Sequence, residues 1–374
     1  PWRRRASAVL PPEAGRLQLP PLEGERPREP CPWRAEDPPY QFWFSRRLKA
    51  CGTCLAGNVT TLRPAVWYRL TRRDAKGRLA RPLALQALAI CDMGSLHMSF
   101  ETCENSTDTL VGRSTIAIAG LGLLGGSLLL ALRARCPDVR LLAFARREET
   151  VRAARERGLV DVASTDPADI LPHADLTVLC MPISATIDFV TRHAATWCAG
   201  SLVTDVGSVK RAILTPCAAA LGECGVHFLG SHPMAGKESA GLDAAEADLY
   251  RDAVVFLCGE EDTPAEVANF AKAFWRAVGA RTVSIGAEQH DRLVARSSHV
   301  LHLAAASLAC LLPRDPLANV ATAGSFRDMT RVAASSPAMW TDICEHNREP
   351  VVDALDELIA GLSELRDCVS EKRW

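Results

Sequence analysis

The most constraining stretch runs from Thr115 to Arg135. Five mostly apolar residues, Thr115–Ala119, lead straight into Gly120-Leu121-Gly122-Leu123-Leu124-Gly125, and a helical run from Leu124 to Arg135 follows. A strand, a G-x-G-x-x-G turn and a helix in that order form the opening unit of a parallel sheet covered by helices. The first glycine permits the tight turn, the second lets a pyrophosphate approach the backbone, and the third packs helix on strand. The start of the helix then offers free N–H groups to phosphate. Gly120, Gly122, Leu123, Leu124 and Gly125 are the residues expected to hold a dinucleotide.

The pattern continues. Arg140–Phe144, Leu176–Cys180 and Leu202–Thr204 read as further strands, with helices over Glu149–Arg157, Ala185 to about Ala195, and Val209–Leu221. Strands alternating with helices of about ten residues predict βαβ units. After Val254–Leu257 and Thr282–Ile285 the strand signals stop, and the remainder reads as helices broken at Pro313–Pro316, Gly324 and Pro337. The expected fold is α/β: a Rossmann-type doubly wound parallel sheet over residues 114–286, then an all-helical domain over 287–374.

Residues 1–113 are different material. They hold 12 of the 23 prolines and four of the eight tryptophans, with a net charge of +7 against −8 for residues 114–374. The stretch from Pro11 to Pro39 is mostly Pro, Glu and Arg and cannot bury enough apolar surface to fold alone. The chain opens on Pro1, and this Pro/Arg-rich segment is expected to be disordered and to precede the start of the enzyme.

Over the whole chain, 43 basic residues balance 44 acidic ones, so no basic field marks a nucleic-acid partner. No run reaches the ~18–20 apolar residues of a membrane span. The 14 cysteines, several in apolar runs such as Cys180 and Cys310, read as buried free thiols of a reducing compartment, and the cytoplasm is expected. Cys51 and Cys54 form a CxxC without a second close pair, which argues against zinc. No other clustered ligand set suggests a metal.

Cofactor choice is written at the end of the second strand. About 20 residues past the glycines, an NAD enzyme usually presents an Asp or Glu to the ribose hydroxyls. Here the strand ends Ala143-Phe144-Ala145-Arg146-Arg147. The missing carboxylate removes repulsion against a 2′-phosphate, and Arg146 and Arg147 supply charge-assisted bonds to it. NADP is expected over NAD, with NAD use possible.

Three further segments concentrate polar chemistry. Thr204-Asp205-Val206-Gly207-Ser208-Val209-Lys210 follows a strand, at the carboxyl edge where such sheets bind ligands. Gly230-Ser231-His232-Pro233-Met234-Ala235-Gly236 reads as a loop whose His–Pro pair fixes where the imidazole points. Ser297-Ser298-His299 and His302 sit on the first long helix of the C-terminal domain. Imidazole titrates near neutrality and is suited to take a proton from an alcohol as hydride leaves.

Together with the glycine turn, TDVGSVK, GSHPMAGKESAG, SSHVLH and the run Phe326-Arg327-Asp328-Met329-Thr330-Arg331-Val332 through Pro337-Ala338-Met339-Trp340 resemble the prephenate/arogenate dehydrogenase family of tyrosine biosynthesis. The resemblance covers about residues 114–365; nothing in 1–113 takes part. It implies oxidative decarboxylation of a cyclohexadienol acid, with His232 as general base and Ser208 bonded to that histidine and to the substrate hydroxyl. It also implies His299, Arg331 and Trp340 at the substrate, Arg331 gripping a carboxylate, and Pro182 in the cofactor site. Leu301 stands where family members often carry proline, so no proline kink is expected there.

Two other readings compete. A β-hydroxyacid dehydrogenase would place a lysine on the interdomain helix, where this chain has Ser297, Ser298 and His299. A nucleotide-sensing protein would keep the fold without the chemistry. The apolar run Val300–Leu312 cannot close a core alone, so a two-fold homodimer is expected.

Overall fold

In a computed structural model of the chain, the described residues are Val111 and 114–374, except 238, 260–262, 313–315 and 374. The expectations for residues 1–113, including the CxxC, lie outside them, Val111 apart.

Six parallel strands form the main sheet, in the order β3-β2-β1-β4-β5-β6. They are β1 (Thr115–Ala119), β2 (Arg140–Phe144), β3 (Val162–Ser164), β4 (Leu176–Leu179), β5 (Leu202–Asp205) and β6 (His227–Phe228). The connecting helices are α1 (Leu123–Arg135), α2 (Glu148–Glu156), α3 (Ile183–His193) and α4 (Arg211–Gly222). Ile116, Ala117, Ile118 and Ala119 are all fully buried, because helices cover both faces of the sheet and leave no side for polar residues. Strand order reverses between β1 and β4, which opens a crevice beyond their carboxyl ends.

A second, three-stranded sheet follows, ordered β7-β8-β9, with β7 at Gly230–Pro233, β8 at Val254–Cys258 and β9 at Arg281–Ser284. Strand β7 runs antiparallel to β8, and β8 parallel to β9. This corrects two expectations. The Gly-Ser-His-Pro segment is a strand rather than a loop, and the last two predicted strands belong to this small sheet. Proline is tolerated because β7 is an edge strand. Helix α5 (Ala265–Ala277) crosses from β8 to β9. The short β3 also escaped the sequence pattern.

The C-terminal part is helical: α6 (Ala287–Val294), one π turn (Ala295–His299), α7 (Val300–Cys310), α8 (Pro316–Ala321), α9 (Gly324–Thr330), a 3₁₀ turn (Arg331–Ala334), α10 (Pro337–His346) and α11 (Arg348–Ser370). Helix α7 runs through Leu301 unbroken; the departure from α geometry lies upstream, in the π turn that ends at His299. The continuous stretch Ala287–Cys310 does have the length and apolar content of a membrane span, which corrects the expectation that no run comes near one. In this fold it buries His290, Asp291 and His299 and packs Ala295 and Val300 on Val351 and Ala354 of α11. An Arg296–Glu357 ion pair ties the π turn to α11.

The expected burial of Cys180 and Cys310 is corrected: Cys180 is half-buried and Cys310 exposed, while Cys217 and Cys258 are buried, and all nine described cysteines are free.

The glycine turn shows why the local sequence is so restrictive. Gly120 has φ +103°, and a Cβ there would strike the Cys180 carbonyl; one on Gly125 would strike the Gly120 carbonyl. A Cβ on Gly122 would meet nothing within 4 Å. Gly125→Ala is expected to destabilise the fold by about 3 kcal/mol through overpacking. Gly122→Ala should leave the urea midpoint unchanged yet weaken dinucleotide binding, measured by fluorescence titration.

Candidate active site

The cofactor side of the site is built from three carboxyl-end loops. Helix α1 begins without a side-chain cap or an acidic residue in its first turn, so its N–H groups at Leu123 and Leu124 are available to an anion. The open space over Gly122 is the cradle such a group requires. Ala145, at the end of β2, is buried, while Arg146 and Arg147 are exposed and Arg147 pairs with Glu149 at 3.0 Å. Pro182 caps the start of α3 at the end of β4. It lines a cleft of about 500 Å³ with Ser184 on one side and Ser336, Met339 and Asp342 of α10 on the other. The residues present therefore fit a dinucleotide.

The polar side is organised around a fully buried ion pair. Lys210 Nζ bonds Asp205 Oδ2 and donates to the Ser231 carbonyl at 2.7 Å. Asp205 in turn accepts from the Gly207 N–H at 2.8 Å and the Ser231 N–H at 3.1 Å. The Ser231 hydroxyl is held by Thr204 at 2.7 Å and by the Trp275 indole at 3.0 Å. The main chain just before His232 is thus fixed on every side.

His232 is 8% exposed. Its Nδ1 lies 2.8 Å from Nε2 of His290, whose Nδ1 lies 2.8 Å from Oδ1 of Asp291. Burial, then the neighbouring His290, Lys210 and His299, hold the His232 pKa well below the usual histidine value, so the ring is uncharged at neutral pH. Ser208 is half-buried on the loop after β5; the bond that His232 makes goes to His290 rather than to Ser208.

His299 is buried at the end of the π turn and bonds Asn347 through Nδ1 at 3.1 Å. Burial lowers its pKa to about 4. Trp340, from α10, lies edge-on to His299 with ring centres 5.9 Å apart and stacks on His302 at 4.0 Å. His299 Nε2 and Trp340 Nε1 are both buried without a hydrogen-bond partner. Two such orphans side by side are costly unless a ligand satisfies them. Arg331 is exposed and opens the 3₁₀ turn after α9.

Family models match both parts of the described chain. A family model described as "Prephenate dehydrogenase, nucleotide-binding domain" matches residues 128–284, and one described as "Prephenate dehydrogenase, dimerization domain" matches 286–374. The cyclohexadienyl dehydrogenase of Zymomonas mobilis is 35% identical over 264 residues, covering 69% of this chain and 89% of that relative. This chain belongs to the prephenate dehydrogenase family.

Solved members of the prephenate dehydrogenase family share the fold. The prephenate dehydrogenase from A. aeolicus, solved with hydroxyphenyl propionate and NAD+, gives a TM-score of 0.65 at 27% identity, covering 69% of this chain and 91% of that one. The Synechocystis arogenate dehydrogenase gives 0.61 at 30% identity, covering 70% and 93%.

Sequence reasoning quoted Asp205 and Lys210 without a role and missed His290, Asp291 and Asn347. The His–Asp pair lies nine residues ahead of His299 on a helix whose other polar residues face water, and nothing in its local sequence marked it as buried.

Both buried histidines make the fold acid-sensitive. An unfolded histidine titrates near 6.5, so between pH 6.5 and 4 the unfolded chain binds more protons than the folded one, and stability falls with pH. His299 alone contributes roughly 3 kcal/mol of that loss, and His232 adds in the same direction. Urea midpoints at pH 7 and pH 4.5 should differ, and His299→Gln should narrow the difference.

Proposed function

We propose that this chain oxidises and decarboxylates prephenate, arogenate or both, giving 4-hydroxyphenylpyruvate or tyrosine, with NADP as the favoured acceptor and NAD also used. The observation that carries the reading is His232: a buried, uncharged imidazole with Nδ1 engaged and Nε2 left for a substrate proton. The substrate names of the two solved relatives and of the Zymomonas enzyme support the substrate class.

Gly120, Gly122, Leu123, Leu124, Gly125 and Pro182 would hold the dinucleotide, which when bound would supply the hydride acceptor. His232 Nε2 takes the hydroxyl proton as hydride leaves the same ring carbon, and Ser208 orients that hydroxyl. Carbon dioxide then departs from the opposite ring carbon, its bonding pair passes through the ring to the carbonyl oxygen, that oxygen takes the proton back from His232, and the ring becomes aromatic. Aromatisation supplies the driving force, so the protein's work is positioning and accepting one proton. His299 and Trp340 offer their two unpartnered nitrogens to the substrate's polar groups, and Arg331 holds a carboxylate. Ala145 brings no carboxylate to the strand end and Arg146 beside it is exposed, which supports NADP.

We assign residues 114–286 to cofactor binding and 287–374 to substrate binding and dimerisation. Leu301, Leu311, Val320, Ile359 and Leu362 are all more than half exposed on the C-terminal helices. An apolar surface of that kind, in a segment matching a dimerization-domain family model, supports a homodimer. Free thiols throughout the described residues support a reducing, cytoplasmic setting.

Nicotinamide reduction with each substrate and each cofactor tests the reading. NADP should support faster turnover than NAD with at least one substrate. His232→Ala should cut kcat by about 10²–10⁴-fold while cofactor affinity holds, and Ala145→Asp should reverse the cofactor preference. Equal turnover by His232→Ala would remove His232 as the base.

A further inference from the structure

The chain His232–His290–Asp291 has a direction that follows from its far end. Asp291 is 3% exposed. Its Oδ1 accepts the Lys210 N–H at 2.7 Å and its Oδ2 the Arg211 N–H at 2.9 Å. These are the first free N–H groups of α4, where the helix dipole favours negative charge. An ionised carboxylate only accepts, so His290 Nδ1, facing Oδ1, donates. His290 is fully buried, and a neutral imidazole that donates through Nδ1 has no proton on Nε2. Its Nε2 is therefore a lone pair. His232 Nδ1 faces that lone pair and must donate, and a neutral imidazole with its proton on Nδ1 has none on Nε2.

We propose that Asp291 and His290 are positioning residues that hold His232 as the Nδ1-protonated tautomer and so keep its Nε2 ready to accept the substrate proton. An N–H on Nε2 would block that role, and which nitrogen carries the proton is set by what the other one bonds. Asp291 is to His290 what His290 is to His232. Once Nε2 has taken the proton, His232 still donates through Nδ1, and the carboxylate at the end of the chain favours the cation. The inference rests on His232 being the base of the proposed reaction.

The test combines ¹⁵N-histidine spectra of the full chain, without substrate or cofactor, with steady-state kinetics. In the wild type, His232, assigned by the signal lost in His232→Gln, should carry its proton on Nδ1. His290→Leu should move that proton toward Nε2 and lower kcat about 10–100-fold, with KM changing less than about twofold. His290→Gln, whose side-chain oxygen can accept from Nδ1–H, should recover the tautomer and most of kcat. Should His290→Leu not fold, the wild-type spectrum and His290→Gln decide. A wild-type His232 protonated on Nε2, a His290 carrying two ring protons, or full kcat in His290→Leu would overturn the proposal. A wild type that turns over neither substrate yet shows the Nδ1 proton would sink the assigned reaction and leave the tautomer relay supported.

Discussion

The buried Asp205–Lys210 pair is the contact on which the rest of the site depends. Both side chains are fully shielded from water, and together they clamp the N–H and the carbonyl of Ser231. That joins the end of β5, in the main sheet, to the start of β7, in the small one. His232 is the next residue. Removing one partner of such a pair costs about 3–5 kcal/mol because the other is left charged in a dry interior. The arrangement suits a catalytic base, which must be aimed to within a fraction of an ångström.

The same lysine links a second structure. Its backbone N–H, with that of Arg211, holds Asp291 at the start of α4, and Asn347 ties the Asp291 carbonyl to the His299 ring. Helix α6, the π turn and α11 are thereby registered against the nucleotide-binding sheet through polar contacts, while Ile343 and Trp340 of α10 pack on one apolar face of that sheet. A π turn re-aims the residues that follow it, and such turns recur at functional sites. Here it ends on His299. The electrostatic consequence is that burial keeps His232 and His299 neutral, His232 beside a cation that is itself paired.

Much of this was legible from residue order. The glycine turn, the strand–helix alternation and the helical C-terminal region follow from periodicity and from turn chemistry that acts within ten residues. Ala145 and Arg146 are legible for the same reason, because a strand end is a fixed place in such a sheet. The small sheet was not. Gly230-Ser231-His232-Pro233 carries two poor strand formers, and its pairing with β8 depends on a segment more than twenty residues away. Burial of His290 and Asp291 was equally hidden, since AEQHDRLV offers several polar residues and no local rule says which face turns inward.

By itself, then, the sequence determined the fold class and the glycine turn and marked His232 as the candidate base, because each rests on local sterics or on a dense motif. Only the tertiary structure decided which polar groups meet in the interior. The Asp205–Lys210 clamp, the His232–His290–Asp291 chain and the paired orphan nitrogens of His299 and Trp340 all join residues from separate elements. Their energies come from desolvation and from partners that chain order does not bring together. What a buried imidazole bonds is set by packing, and in this protein that bond determines which nitrogen can act.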